Sequence, residues 1–395
     1  MKVLHLVTAF PRNETDIITP WLWEILKGLK QKGIDIEIFA PSYKGLGNQK
    51  IFGLKVHRFR YFFKRWEYLT HEETTPDRFQ RSIFYKFLSL FYILGGIIGM
   101  VKLMQRERYD IVQAHWPFPH TIFGYFAKRI GGAKLISTFY GVELRWIKAQ
   151  LPFFLPLIRW IIRKSDCLTA ISSYTAKEIK DILAREVAII PYTSTILRDE
   201  AKEVTSEKDS KKRILFVGRL VERKGVEYLI DAFNLIAGKI EAKLIIVGEG
   251  PERHRLEELV KSYGLKERVV FKGRICQEEL ERCYANCDVF VLPAIVDSKG
   301  DTEGLGVVLL EAMSYKKPVI ASNLGGIVDI VRDGESGILV PEKNPQKLAE
   351  AILKILEDKD YARRLGEKGY RFAKENFSLE RIVRRWLELY RRLSQ

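Results

Sequence analysis

Two glutamates, Glu303 and Glu311, stand eight positions apart in the stretch DTEGLGVVLLEA (301–312), around a Gly-Leu-Gly step. Paired carboxylates can serve as acid and base, as metal ligands, or as two anchors on one long ligand. If the stretch is helical from Gly304 onward, eight residues at about 1.5 Å each separate them by about 12 Å. Carboxylates that act together on one glycosidic bond lie about 5–9.5 Å apart, and two that share a metal ion lie closer still. The spacing suits the two ends of an extended ligand, with N–H groups of a glycine-started helix between them. A helix-mouth glutamate followed by an unrelated surface one is the plainer alternative.

Other stretches offer partners. ILFVGRLVERKG (214–225) is a strand running into a loop with Arg219 and Lys224. A strand end that feeds a helix N-terminus presents backbone N–H groups and a positive dipole end, both suited to phosphate. The P-loop pattern is not matched, and a solvated basic turn is the competing reading. LIIVGEGPERHRLEEL has half of a G-x-G-x-x-G pattern, so Gly250 reads as a tight strand-to-helix turn. His115 follows the strand YDIVQAH, just before a Pro-aromatic loop, where a side chain points toward bound ligand; a buried structural histidine is the alternative. Tyr140, Gly141 and Glu143 in STFYGVEL end a neighbouring strand.

These residues need strand ends to hold them, and the chain supplies strands in alternation with helices. KVLHLVT, DIEIFAP, KVHRFRYF, YDIVQAH, AKLISTFYG, CLTAIS and VAIIP are strands in the first half, with helices at PWLWEILKGLKQKG (ending at Gly33), near 82–106, at 119–130 and at SYTAKEIKDIL. RILFVGRL, KLIIVGEG, VVFKGR, DVFVLPA, PVIASN and GILVP restart the pattern after a polar stretch. The fold class is α/β: two doubly wound, Rossmann-like domains facing across a cleft. Residues 1–195 form the first domain, 196–212 a linker, 213–375 the second domain. The segment 376–395 is a helix with no strand to pack under, and is expected to return to the first domain.

Composition narrows the classes. The chain has 395 residues, 47% of them hydrophobic, enough to bury sizeable cores. The apolar run 87–101 is about 15 residues, short of the roughly 20 that span a bilayer, and reads as a buried helix. No signal peptide is read at the N-terminus. Four cysteines are too few for a disulfide framework; Cys283 and Cys287 read as core thiols. The net charge of +16 is uneven, because residues 1–190 carry 29 Lys+Arg against 16 Asp+Glu. Such asymmetry suggests that the first half meets an anionic partner.

Taken together, FVGRLVERKG, IIVGEGP, VVFKGR, DVFVLPA, EGLGVVLLEAMSYKKPVIAS and GGIVDIVRDGESGILVP, in that order, resemble the retaining glycosyltransferases of family 4, which have the GT-B fold. The first half matches more loosely, through VQAHWPFP. The resemblance implies a hexosyltransferase that moves a sugar from a nucleotide-diphosphate donor, such as a UDP-sugar or GDP-mannose, to a glycan or lipid-linked acceptor in polysaccharide or glycolipid synthesis. Arg219 and Lys224 would bind the diphosphate and stabilise the leaving group. Glu311 would take the ribose hydroxyls, Glu303 the donor sugar, and the backbone at Arg274 and Ile275 the base. Gly250 and the Gly304-Leu305-Gly306 step would lie against the donor. His115 would touch the sugar near the reacting carbon, and with Arg219, Lys224 and Glu303 forms the expected catalytic set. No metal or other cofactor is implied, since the cations replace it.

Tyr140-Gly141 stands where many members have His-Gly, with Glu143 in place of a frequent Asp; these three are the acceptor-side candidates. The opening loop TAFPRNETDIIT lacks the usual Gly-Gly turn, and PYTST replaces a common PNG turn. Residues 58–92 interleave Arg and Lys with aromatics, and this face is expected to dock on an anionic membrane; an aromatic core beneath a solvated basic surface is the alternative. The protein is expected to be cytoplasmic, peripheral to the inner face of the cell membrane. No nucleic-acid-reading motif occurs. A non-catalytic nucleotide-sugar binder and another GT-B enzyme, such as a sugar-nucleotide epimerase, are the rival readings.

Overall fold

The computed structural model describes residues 1–16, 18–71, 78–79, 81–194 and 211–395. The chain divides into two compact units, one of Met1–Ile171, Thr175–Tyr192 and Ile382–Gln395, the other of Ser172–Tyr174 and Thr193–Arg381.

In the first unit, β1 (Lys2–Leu6), β2 (Asp35–Pro41), β3 (Gln49–Ile51), β4 (Leu54–Phe59), β5 (Ile111–His115), β6 (Lys134–Phe139), β7 (Cys167–Ala170) and β8 (Ala188–Ile189) form one sheet. Its order is β3-β4-β2-β1-β5-β6-β7-β8. All pairs are parallel except β3 with β4. The opening strand is thus central, and its burial from Val3 to Leu6 fits a strand covered on both faces. The order runs outward in opposite directions from β1 and β5. In such sheets the crevice at the carboxyl ends of these two strands is the preferred ligand position, and His115 ends β5.

Helices cover the sheet. They are α1 (Pro20–Gln31), which stops before Gly33 at φ 85°, α2 (Ile83–Met104), α3 (Pro117–Gly131), α4 (Val142–Gln150), α5 (Leu155–Lys164) and α6 (Ser173–Ile182). The pair α4 and α5 was not legible as helix in the sequence. Its segments are short and interrupted by Pro152, and each buries only a narrow stripe, Leu144 and Ile147 on one and Ile158, Ile161 and Ile162 on the other.

Two expectations need correction here. The apolar run is not a buried core helix: α2 extends over 22 residues, and Ile83, Phe87, Leu90, Leu94 and Ile98 are exposed. Nor is the basic-aromatic stretch 58–92 a single outward face. Phe59, Tyr61 and Tyr92 are core residues, and Arg58 is buried, donating to the carbonyls of Phe10, Pro11 and Pro41. Arg58 therefore pins the glycine-poor opening loop instead of facing solvent. Residues 72–77 and 80 of that stretch, and most of the expected linker, lie outside the described residues.

In the second unit, β9 (Lys212–Val217), β10 (Ala242–Val247), β11 (Val269–Gly273), β12 (Val289–Leu292), β13 (Val319–Ser322) and β14 (Ile338–Val340) form a parallel sheet ordered β11-β10-β9-β12-β13-β14. Lys212 is thus already strand. The reversal of order falls between β9 and β12, whose following loops carry Arg219 with Lys224 and Glu303 respectively. The helices are α7 (Val226–Ile236), α8 (Arg253–Ser262), α9 (Gln277–Asn286), α10 (Val307–Ser314), α11 (Pro345–Glu357) and α12 (Lys359–Phe377). Cys283 and Cys287 are buried free thiols.

The last helix, α13 (Leu379–Ser394), belongs to the first unit from Ile382 onward. It buries Ile382, Val383, Trp386, Leu387, Leu389 and Tyr390. Val383 fills the space left by Gly28 of α1, where a Cβ would come within 2.6 Å of its Cγ2. The buried Tyr390 hydroxyl donates to Gln113 Oε1 on β5. Gln113 Nε2 in turn donates to Thr138 Oγ1 at 2.9 Å, which also accepts from Thr169 Oγ1 at 2.8 Å. A chain of buried hydrogen bonds thus ties the C-terminal helix to three adjacent strands.

Replacing one member should be felt, since a buried acceptor left without its donor costs about 1–3 kcal/mol. Tyr390→Phe is expected to lower stability by that amount in denaturant unfolding. An unchanged midpoint would show that the network does not hold the helix.

Candidate functional site

The second unit gathers charge at the ends of β9 and β12. Beyond Gly218 the chain passes Arg219, which is exposed, makes a single short turn over Glu222–Lys224 and enters α7 through Gly225. Gly225 adopts φ 62°, and a Cβ there would lie 2.0 Å from the Pro293 carbonyl oxygen, so only glycine brings this turn against the end of β12. The approach puts Lys224, 8% exposed, into contact with Glu303, 9% exposed. Their side chains form a short ion pair. Arg223 joins it, with Nη1 3.3 Å from Glu303 Oε2 and Nε 3.4 Å from Asp301 Oδ2. A buried carboxylate keeps its charge only with partners of this kind. Arg223 and Asp301 escaped the sequence reading, although the ERK triplet contained the signal.

Glu303 does not sit at a helix mouth as expected. The helix α10 begins at Val307, and its N-cap Gly306 has φ 86°. The Glu303–Gly306 segment is a loop, and its shape is set by a second glycine pair. A Cβ on Gly325 would fall 2.3 Å from the Glu303 carbonyl oxygen, and one on Gly326 2.0 Å from that of Gly304. Gly326 N–H donates to Glu303 O at 3.0 Å. Helical arithmetic over all eight residues therefore fails: only the part from Val307 to Glu311 follows the helix. Leu305 is fully buried, so this residue can offer a ligand only its main chain.

Glu311, within α10, already has both oxygens occupied. Ser194 Oγ donates to Oε1 at 2.8 Å, and the Tyr284 hydroxyl donates to Oε2 at 2.7 Å. Burial pushes its carboxyl above the ordinary range, while those two hydrogen bonds and the charge of Lys224 pull it back. Lys224 thus pairs with one glutamate and is felt by the other. Each carboxylate oxygen has a second lone-pair direction, so Glu311 can still accept from a ligand's hydroxyls. Ser194 lies in the PYTST turn, and Tyr284 is locked by stacking on Tyr315 at 5.7 Å; neither was foreseen, since their spacing from Glu311 follows from sheet topology.

Gly250 serves the same unit by packing. A Cβ there would meet the Leu220 carbonyl at 2.2 Å, and Leu220 N–H donates to Glu249 O at 3.0 Å. The loops after β9 and β10 therefore run in backbone contact. Arg274, exposed, and Ile275, half-buried, follow β11.

In the first unit, His115 is buried with both ring nitrogens engaged: Nε2 lies 3.0 Å from His5 Nδ1, and Nδ1 lies 2.8 Å from the Tyr140 hydroxyl. Burial first, then the neighbouring His5 and His120, hold its pKa well below the usual histidine value. His5 is pushed down to about 3 and His120 to about 4, again by burial. All three are neutral near pH 7. His120 Nδ1–H donates to the carbonyls of His115 and Trp116. This fixes its tautomer, with Nε2 left to accept from the Tyr92 hydroxyl at 3.2 Å. Tyr140 stacks on Trp116 with centroids 4.5 Å apart. His5, Gln113, His115, Thr138, Tyr140 and Tyr390 line a cavity of about 20 Å³, room for one water molecule.

Gly141, at φ 89°, opens α4. Glu143 in the first turn accepts from the Tyr140 N–H through Oε1 at 2.7 Å, while buried Oε2 finds no hydrogen-bond partner among the described residues. Burial raises this carboxyl from 4.5 to about 7 against those backbone hydrogen bonds. Between the two values the folded protein binds more protons than the unfolded chain, so stability falls as pH rises from about 4.5 to 7. Glu143→Gln keeps an acceptor for the Tyr140 N–H and removes the titration. Melting curves across this window should show a shallower pH slope for the variant than for the wild type; parallel slopes would mean that Glu143 ionises freely.

Comparison with known proteins places this arrangement. Glycosyl transferases group 1 matches residues 198–372, and Glycosyltransferase Family 4 matches residues 20–192. An uncharacterized glycosyltransferase of Methanocaldococcus jannaschii is 35% identical, over 99% of this chain and 98% of its own. A GDP-mannose-dependent alpha-(1-6)-phosphatidylinositol monomannoside mannosyltransferase of Mycobacterium tuberculosis is 29% identical, over 69% of this chain and 73% of its own. Among solved structures, sucrose-phosphate synthase from Thermosynechococcus elongatus superposes with a TM-score of 0.77 at 22% identity, covering 99% of this chain and 98% of that one. With its two parallel α/β sheets and its glycine-shaped, charge-paired loops, the chain belongs to the family 4 glycosyltransferases of the GT-B fold.

Proposed function

We propose that the protein is a retaining hexosyltransferase that uses a nucleotide-diphosphate sugar and transfers the sugar to a lipid-linked or glycan acceptor. The observation that carries this is the cluster of Lys224, Arg223 and Glu303 beside Glu311, with Arg219 exposed at the same strand end. Its cations suit a diphosphate, and its carboxylates suit the hydroxyls of ribose and hexose. Nucleotide would be held by Glu311 and the backbone at Arg274 and Ile275, the diphosphate by Arg219 and Lys224, and the hexose by Glu303 and the main chain of Gly304 to Gly306.

In the transition state negative charge grows on the leaving diphosphate. Ammonium and guanidinium groups that have engaged the diphosphate on donor binding stabilise it and take the place of a metal ion in this reading. The acceptor hydroxyl attacks the anomeric carbon from the side of the departing phosphate, which takes the hydroxyl proton as the glycosidic bond forms. Lys224 leaves its short pair with Glu303 for the diphosphate, and Glu303 turns to the sugar hydroxyls. His115 contributes as a neutral ring near the sugar, and Tyr140, Gly141 and Glu143 serve the acceptor. A phosphatidylinositol mannoside acceptor in a relative supports a lipid-linked acceptor and work at the inner face of the cell membrane, from the cytoplasm.

A ligand that binds only the folded protein stabilises it, by about 2.7 kcal/mol at one hundred times its Kd. In a thermal-shift panel of UDP-, GDP- and ADP-sugars, one nucleotide class should raise Tm well above the others. Arg219→Ala, an exposed change, should leave the ligand-free Tm unaltered and cut the donor-induced gain by about 1.5–3 kcal/mol. Product formed with the stabilising donor should keep the donor's anomeric configuration by NMR and form equally well in EDTA. An inverted product would overturn the retaining assignment, and absence of nucleotide release with every donor would favour a binder.

A further inference from the structure

Helix α2 is the most apolar long element of the described chain. Its best 18-residue window has mean hydropathy 2.0, and its 22 residues include Lys86 and Lys102 but no Asp or Glu. One face, with Leu88, Tyr92, Gly96, Met100, Leu103 and Met104, is buried. Glycines set how closely it lies: a Cβ on Gly96 would come within 2.3 Å of Phe123, one on Gly95 within 2.5 Å of the Arg60 carbonyl, and one on Gly99 within 2.8 Å of Phe59. The helix is therefore seated on its own domain. It cannot span a bilayer without tearing that face out of the core.

The opposite face is uncovered. Ile83, Phe87, Leu90, Leu94 and Ile98 are exposed by 81, 51, 58, 56 and 54%. Steps of three and four residues align them in one stripe, about 22 Å long at 1.5 Å per residue. Phe63, 70% exposed, adjoins Phe62, whose ring lies 5.0 Å from Phe91 and 6.5 Å from Phe87. Contiguous apolar surface of this kind marks an interaction site. Its borders are basic: Lys64 and Arg65 follow Phe63, Lys86 lies beside Phe87, and Lys102 and Arg106 continue beyond Ile98, all five exposed.

We infer that this stripe is an anionic-bilayer docking surface, with α2 lying in the plane of the interface, its apolar residues among the upper acyl chains and its lysines and arginines at headgroup level. Charge complementarity selects this occupant. A second copy of the chain placed face to face would set basic border against basic border, whereas anionic headgroups meet the same residues with opposite charge. An apolar face with a basic rim and long side chains that reach upward suits interfacial rather than spanning placement. The inference rests on the proposed lipid-linked acceptor for its purpose, since docking brings the enzyme to a substrate confined to the bilayer.

The test uses the full chain and sedimented vesicles of phosphatidylcholine alone or mixed with phosphatidylglycerol. Wild type should partition onto the mixed vesicles about tenfold more than onto neutral ones, with binding weakened by salt. Leu90→Glu combined with Leu94→Glu should reduce that binding about tenfold or more. Lys64→Glu with Arg65→Glu, a change outside the helix, should abolish the preference for anionic lipid even if the first variant folds poorly. Equal or absent binding to both vesicles, or binding untouched by both variants, overturns the inference. So does light scattering that finds a wild-type dimer dissolved by Leu94→Glu, which would make the stripe a self-interface. The donor-induced thermal shift is read in parallel: its loss in wild type strikes the functional reading alone, and its retention in a variant that no longer sediments shows that the donor site has survived.

Discussion

The charged cluster of the second unit depends on one constraint: a buried glutamate has to be kept beside a cation. Glu303 is almost closed off from water, and a carboxylate in that position is tenable only while a cation touches it. Lys224 does so, with Arg223 behind it. Bringing those side chains together requires backbones to approach more closely than any Cβ allows. Gly225 presses against Pro293, and Gly325 and Gly326 against the Glu303–Gly304 main chain. The glycines therefore act on the chemistry by fixing distances between loops that are remote in sequence. In the proposed reaction the tight pair is what a diphosphate has to displace, an exchange that requires new hydrogen bonds for Glu303, for which sugar hydroxyls are suited.

The histidine cluster of the first unit uses the opposite solution. His5, His115 and His120 are buried, no carboxylate is among their hydrogen-bond partners in the described residues, and burial removes their charge instead of compensating it. Main-chain carbonyls fix the tautomer of His120, and the three rings together make a buried, neutral cluster. A charged imidazolium beside a reacting sugar would oppose the positive charge that develops at an anomeric carbon, so neutrality suits the proposed transfer. Two buried polar systems in one protein thus carry different charge states because one includes cations and the other only rings and hydroxyls.

What was legible in the sequence follows the range of the interactions. Strand and helix alternation is local, so the two α/β sheets, His115 just past one strand and Arg219 with Lys224 in the loop after another could be read directly, whereas Glu303 was placed at a helix mouth that begins only at Val307. Alternation leaves the order of strands open, so the ion pair of Lys224 with Glu303 was not legible. Nor were the partners that hold Glu311, since Ser194 and Tyr284 reach it from 117 and 27 residues away. The helical ruler from Glu303 to Glu311 failed for a similar reason. Gly306 takes a left-handed φ and the helix starts only after it, while Gly325 and Gly326, from a later turn, press against the Glu303 and Gly304 carbonyls and shape the loop before it. Arg58 was misread as surface because its three carbonyl acceptors are contributed by the opening loop and β2.

Helix α2 shows where composition alone misleads. Length and hydropathy suit a buried or a spanning helix equally, and neither describes it. What separates the cases is the position of its small residues. Gly95, Gly96 and Gly99 lie against the body of the unit and allow close seating there, while every large residue on the remote side stays exposed. A helix selected only for packing would have had polar residues at Phe87, Leu90 and Leu94, since these positions add nothing to the core. Retaining them on the surface exposes apolar area to water and promotes association. That cost is offset when the stripe is covered in use, and the lysines and arginines at its edges define which surface can cover it.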